Sequence, residues 1–264
     1  MSRLGTSTET GSDSWSQTFG YDVNHNRWIS STTGQAPSNR LLTPQQNVFD
    51  AVTNRINRYV DINNNSTSVS WYDSAGNQTQ MGPAGIAGTF QAVYDAEGRQ
   101  TRVTDSGGAV TAYGYDGVGQ RVQRGTVTYV YDAAGNLAAE YTSTLPTAQP
   151  CSTCYTTPDS LGSTRLVTND GAYVSRHDFA PFGEELTSSN RLTSMGYGLA
   201  DSMTHLYTGK ERDSETGLDY FGARYRSAYE GRFTSSDPGH VGANWWRPQT
   251  WNGYSYVHNN PTAL

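Results

Sequence analysis

Between residues 21 and 137 the chain writes one short phrase six times: an aromatic residue, an aspartate, and a glycine or its stand-in followed by polar residues. The copies are "YDVNHNR" from Tyr21, "FDAVTNR" from Phe49, "YDSAGNQ" from Tyr72, "YDAEGRQ" from Tyr94, "YDGVGQR" from Tyr115 and "YDAAGNL" from Tyr131. The steps from one copy to the next are 28, 23, 22, 21 and 16 residues. A drifting period near twenty is the signature of a repeat architecture, in which each unit stacks on its neighbours.

Each part of the phrase has a local task. Aspartate opens a type I turn well, because its carboxylate accepts hydrogen bonds from the backbone N–H groups just ahead. A glycine three residues later takes the left-handed conformation that returns the chain as a hairpin. Gly76, Gly98, Gly119 and Gly135 are therefore expected at positive φ. His25 and Thr53 stand where glycine is usual, which puts the geometry of the first two turns in question. The flanks alternate as strands do: in "TVTYVYD" one face carries Val127, Tyr129 and Tyr131. One hairpin is marginal by itself, so successive units must pair edge to edge and stack their rings.

Composition supports this reading. Leu, Ile, Val and Phe together make up only about 15% of the chain, a low share for a globular domain. Charged residues are also few, at 16% with a net charge of −6, so the chain lacks the charge of a disordered one. The apolar surface comes instead from 18 Tyr and 6 Trp. An acidic chain without a Lys/Arg run offers no footprint for nucleic acid, and nothing resembles a membrane span or a secretory signal. Cys151 and Cys154 form a single "CSTC", read as spare thiols or a local disulfide, or else a metal-binding or intermolecular pair. The five histidines lack ligand spacing, so no metal and no cofactor is expected.

The organisation follows: a flexible lead-in over 1–17, hairpin repeats over 18–142, a Thr/Pro-rich loop over 143–158, and a distinct block over 159–264. That block contains "DSLGSTRLVTNDG", "DFAPFGEE" and "GKERDSETGLDYFGARYRSAYEGRFTSSDP". With the Tyr-Asp copies, these segments resemble the rearrangement-hot-spot (RHS) proteins and their RHS-repeat-associated core, a group that includes toxin-complex C components and teneurins. Two departures stand out: Ala180 where the family usually has Asp, and Arg226 where it has a second Tyr. The resemblance implies an all-β fold of repeated hairpins in a curved continuous sheet, a segment of a hollow shell with the core block closing one end.

On the residues alone, Arg212, Asp213, Asp219 and Arg224 fall within a short span. Two close carboxylates can share a proton and do acid–base work, or the cluster can be a hydrogen-bonded network pinning strands together. The resemblance adds aspartic-type self-cleavage that releases a C-terminal toxin, and it points to Arg212, Asp213 and Asp219, with Asp237 a weaker candidate. The cleavage motif that the family carries past an "NNP" element is not found after "YSYVHNNPTAL", so the expectation is a shell and plug segment without a substrate of its own. The implied partner is an enclosed toxin domain of a longer chain, and the mature product is expected to be secreted or at the cell surface, with a cytoplasmic stage before export. Alternatives are an adhesion protein whose Tyr/Trp-rich surface binds glycans, and a structural subunit that self-associates through strand edges.

Overall fold

The computed structural model describes residues 3–34, 36, 48–60, 66–69, 71–82, 89–143, 153–170, 172–187, 191, 195–199, 201, 203–240 and 243–262. Among them there is no α-helix; the elements are antiparallel strands joined by tight turns and short 3-10 segments. The N-terminal sheet has three strands, β1 (Thr6–Glu9), β2 (Trp15–Tyr21) and β3 (Arg27–Gly34). A small pair follows, β4 (Arg58–Val60) and β5 (Ser66–Ser68). Seven strands then pair strictly in chain order: β6 (Gln80–Met81), β7 (Phe90–Tyr94), β8 (Gln100–Asp105), β9 (Val110–Tyr115), β10 (Arg121–Arg124), β11 (Val127–Tyr131) and β12 (Leu137–Thr142). The last block forms a three-stranded sheet, β13 (Tyr155–Pro158), β14 (Thr164–Asn169) and β15 (Ala172–Arg176), and a four-stranded one, β16 (Glu211–Arg212), β17 (Leu218–Tyr220), β18 (Tyr225–Ser227) and β19 (Arg232–Phe233).

Two boundaries read from composition change. Residues 6–9, placed in a flexible lead-in, form β1 and pair with β2. Apolar anchoring explains why: Trp15 is buried beside Ala180 and Leu186, and the Tyr21 hydroxyl donates to Leu4 O. Tyr155–Pro158, placed in the Thr/Pro-rich loop, are strand β13, paired with β14. Cys154, just before it, is disulfide-bonded; Cys151 lies outside the described residues. Among the described residues the strip of repeats is continuous over β6–β12 and forms a sheet separate from those before it.

The repeat turns share one geometry. In the third copy Asp73 N donates to Asn77 O, Gly76 N donates to Asp73 O, and the Asp73 carboxylate accepts from Asn77 N. Asp95, Asp116 and Asp132 repeat this pattern, and so do Asp105 and Asp159, whose turns lack the preceding tyrosine. Gly76, Gly98, Gly119 and Gly135 have φ of 94°, 75°, 86° and 82°. His25 takes the same role at φ 62°. In the second copy the turn is one residue longer: Asn54, not Thr53, is left-handed at φ 60°, and Asn54 N donates to Asp50 O. Ala180 closes an identical turn without a carboxylate, with Gly183 N donating to Ala180 O.

A second regularity links one repeat to the next. The Tyr94 hydroxyl donates to Gln78 O, Tyr115 to Gln100 O and Tyr131 to Arg121 O. Each acceptor is the residue five after the aspartate of the preceding turn. The side chains at that position form a buried column, with Arg27, Gln78, Gln100 and Arg121 all inaccessible to solvent. Strand alternation does this: in β7, Phe90 and Ala92 face inward while Gln91 and Val93 face out.

The buried face of the strip is covered by the C-terminal block. The largest apolar cluster joins Phe49, Ile56, Trp71, Met81, Phe90, Val103 and Tyr113 of the repeats to Leu218 and Tyr225 of β17 and β18. The block also reads the turns directly. Asn252 donates to Asn24 O, Asn259 to His25 O, Arg232 to Asn54 O and the Tyr254 hydroxyl to Gly76 O. Turn carbonyls that cannot join a ladder thus find partners from residues 232–259.

Candidate functional site

The β16–β17 hairpin places the candidate residues. Its register pairs Arg212 with Asp219 and Glu211 with Tyr220, and β18 continues it with Arg226 opposite Asp219 and Tyr225 opposite Tyr220. Side chains on a strand alternate between faces, so neighbours in sequence point apart. Arg212, Asp219 and Arg226 therefore share one face. Glu211, Tyr220 and Tyr225 share the other, and Asp213, two residues on from Glu211, joins them there.

On the first face Asp219 lies fully buried between two arginines. Arg212 Nε donates to its Oδ1 at 2.7 Å and Arg226 Nη2 donates to its Oδ2. Arg226 is equally buried, with its guanidinium 4.6 Å from the centre of the Tyr207 ring and 4.7 Å from that of Tyr256. The two arginines also donate to the turn around Gly183, Arg212 to Gly183 O and Arg226 to Phe182 O. Only a glycine admits this approach, because a Cβ at Gly183 would stand 2.3 Å from Arg226 Nη2. Glu184, next in that turn, is buried, and among the described residues neither of its carboxylate oxygens has a hydrogen-bond partner. Burial pushes its pKa up to about 7, against the pull of Arg27, Arg226 and Arg212.

On the second face Arg121 reaches in from the repeat strip. Its Nη1 donates to Asp213 Oδ2 at 2.8 Å and to the Tyr225 hydroxyl at 2.7 Å, and its Nη2 donates to Glu211 Oε2 at 2.6 Å. The Tyr129 hydroxyl donates to the other Glu211 oxygen, and Arg124 joins Glu215, to which Tyr113 also donates. The Arg121 guanidinium stacks 4.2 Å from the Tyr220 ring centre. Burial raises the Asp213 pKa to about 6, with Arg121 opposing. A carboxyl tuned to that range can hold or release a proton near neutral pH.

Arg212 and Asp219 are thus brought together, while Asp213 sits in a separate network. The two aspartates use different arginines and open on opposite faces, which is not the arrangement for sharing one proton. Asp237 takes part in neither network: it pairs with Arg224 at 2.7 Å, beside the Phe233 ring. Sequence reading missed Arg121, Glu211 and Glu184 altogether. The signal for Arg121 was the seventh letter of each quoted repeat, which reads Arg, Gln, Gln and Arg at the four buried column positions. Arg226 was noted only as a departure from the family pattern, yet it is the fully buried partner of Asp219.

Beside the second network a cleft of about 600 Å³ opens between strip and block. Tyr129, Tyr131 and Leu137 line it from the strip; Tyr220, Ala223, Lys210, His205 and Glu211 line it from the block.

Comparison with known proteins gives concordant results. The RHS repeat family model matches residues 94–126. The tRNA3(Ser)-specific nuclease WapA of Bacillus spizizenii is 31% identical over 236 residues, covering 80% of this chain and 9% of the nuclease. Toxin subunit YenC1 of Yersinia entomophaga is 32% identical over 117 residues, covering 42% of this chain and 10% of that subunit. The TcdB2-TccC3-TEV crystal structure superposes with a TM-score of 0.62 at 22% identity, over 95% of this chain and 13% of that one. The Tc holotoxin pore of Photorhabdus luminescens gives 0.60 at 19% identity, with the same two coverages. This chain therefore spans about a tenth of the length of these relatives.

Proposed function

For a chain that carries the RHS repeat and folds as the toxin-complex RHS shells do, we propose a structural role: it is a wall-and-plug segment of an RHS-type enclosure. In the longer protein, the repeat strip forms wall and the 159–264 block braces it from inside. The observation that carries this reading is the bracing itself, in which residues 211–259 fasten to turns of three repeats and, through Arg121, to a fourth. Such a wall keeps a C-terminal toxic domain apart from the producing cell until delivery, and its mature site is outside that cell or on its surface. Among the described residues no helix is long and apolar enough to cross a membrane.

Release by self-cleavage is the finer part of the proposal. Asp213 is the candidate acid, with its tuned carboxyl in the network whose Glu211 lines the cleft; Asp219, held by two arginines, orients the Gly183 turn. The test uses the full-length natural chain. Asp213→Asn is expected to leave the protein folded and to abolish appearance of the C-terminal fragment on gels. Cleavage that persists in Asp213→Asn moves the chemistry elsewhere; a full-length chain that gives no protease-protected C-terminal domain overturns containment itself.

One observation favours a second reading, adhesion. Trp245 and Trp246 are 88% and 92% exposed, and Trp251 packs edge-on against Trp245. Exposed aromatic groups of this kind mark interaction surfaces. Saturable binding on a glycan array, lost in Trp245→Ala/Trp246→Ala, is the result this reading requires.

A further inference from the structure

The repeat strip stops at β12 with one connection unmade. Three times in succession, the carbonyl five residues after a turn aspartate accepts a hydroxyl from the tyrosine on the next strand: Gln78 from Tyr94, Gln100 from Tyr115, and Arg121 from Tyr131. The fourth member of the series is Leu137, five residues after Asp132. Among the described residues, no tyrosine hydroxyl reaches its carbonyl. Among the described residues β12 is the terminal strand of its sheet and pairs with β11, and its side chains are largely exposed on both faces. The next described strand, β13, pairs elsewhere, with β14.

The cleft opens beside that residue. Leu137 and Tyr131 stand on one of its walls, which runs back along the two preceding turns at Arg99 and Gly119. Its other wall presents Tyr220 and Ala223, and Lys210 there makes no ion pair among the described residues, its ammonium lying 5.6 Å from the centre of the Phe221 ring. A volume of about 600 Å³ lies within the range that holds a bound ligand and accommodates a large aromatic side chain. An open strand edge next to a side-chain pocket is the anatomy of strand addition, where backbone hydrogen bonds supply affinity and the pocket supplies selectivity.

We propose that the β12 edge and this cleft form a docking site for an extended polypeptide strand bearing a tyrosine, which pairs antiparallel with β12 and sends its phenol into the cleft to donate to Leu137 O. The recognised chemistry is that of the Tyr-Asp strand itself, offered by another polypeptide. The site does not depend on self-cleavage or on containment of a toxin.

The probe is the heptapeptide of residues 126–132, Thr-Val-Thr-Tyr-Val-Tyr-Asp, with a fluorescent label, titrated with the 264-residue protein and followed by anisotropy. Saturable binding is expected, weakened severalfold when the peptide tyrosine next to its aspartate is replaced by phenylalanine. Leu137→Glu and Ala223→Glu change opposite walls at exposed positions, and each is expected to weaken binding by about tenfold or more. Far-UV circular dichroism confirms that both variants remain folded. Absence of saturable binding up to about 1 mM peptide, a range that still detects weak complexes, overturns the proposal. So does binding that is unchanged in both folded variants, including the case where the protein self-associates through another edge.

Discussion

A buried arginine is worth what its partners lose without it. Arg121 has no solvent exposure and serves Asp213, Glu211 and Tyr225 together. Its replacement takes from two buried carboxylates their nearest cation and leaves them Arg124, 3.3 Å from Glu211 and 3.7 Å from Asp213, so Arg121→Met is expected to cost about 3–5 kcal/mol, the usual loss when one side of a buried pair is removed. Urea unfolding measures it, and a loss under about 1 kcal/mol, the scale of an exposed pair, would mean that the network is far less buried than described. His177 offers a test by pH. Burial alone would lower its pKa, but hydrogen bonds to Asp201 and Glu185 reverse this and raise it from 6.5 to about 9. A group whose folded pKa is raised stabilises the protein fully below its unfolded value and loses that effect as pH rises through the folded value. Stability is therefore expected to decline between pH 6.5 and about 9, and His177→Gln should flatten the decline. A wild-type slope identical to that of the variant would contradict the ion-paired imidazolium.

At the scale of elements, a turn's tolerance depends on what stands over it. Gly135 and Gly231 both have positive φ, 82° and 65°. A Cβ at Gly135 meets nothing within 4 Å, so Gly135→Ala carries only the left-handed backbone penalty of roughly 1–2 kcal/mol. At Gly231 the Cβ would lie 2.0 Å from Arg27 Nη2, and that guanidinium cannot swing away because it is wedged 3.8 Å from the Phe182 ring centre. Gly231→Ala is expected to lower the melting temperature at least twice as far as Gly135→Ala; equal shifts would show that Arg27 has room to move. The turns were legible in the sequence because aspartate and glycine act locally, and so was the pairing of Arg212 with Asp219, seven residues apart across one hairpin. The partner of Asp213 was not, since Arg121 lies 92 positions away and only the fold brings it near. The short first strand was equally hidden, because its polar letters gain their order from a tryptophan and a tyrosine that pack elsewhere.

Across the whole molecule, strip and block share the largest apolar cluster and several buried hydrogen bonds, while the block adds a smaller aromatic cluster of Tyr207, Phe233 and Tyr256. Unfolding is expected to be a single transition, with tryptophan fluorescence and far-UV circular dichroism coincident. Two separated transitions in the wild type would show that the block folds independently of the repeats. The same bracing has a mechanical meaning. Leu4 N donates to Asn259 O and Asn259 donates to His25 O, so the first strands and the last turn of the described chain clasp each other. A pull applied at residues 3 and 262 meets this clasp before it reaches any hairpin. The repeats lie in parallel with it and carry little load while it holds. Once it parts, tension passes to strands whose hydrogen bonds open one at a time, like a zip. The extension trace of such a molecule is expected to show one high force peak followed by a train of low ones.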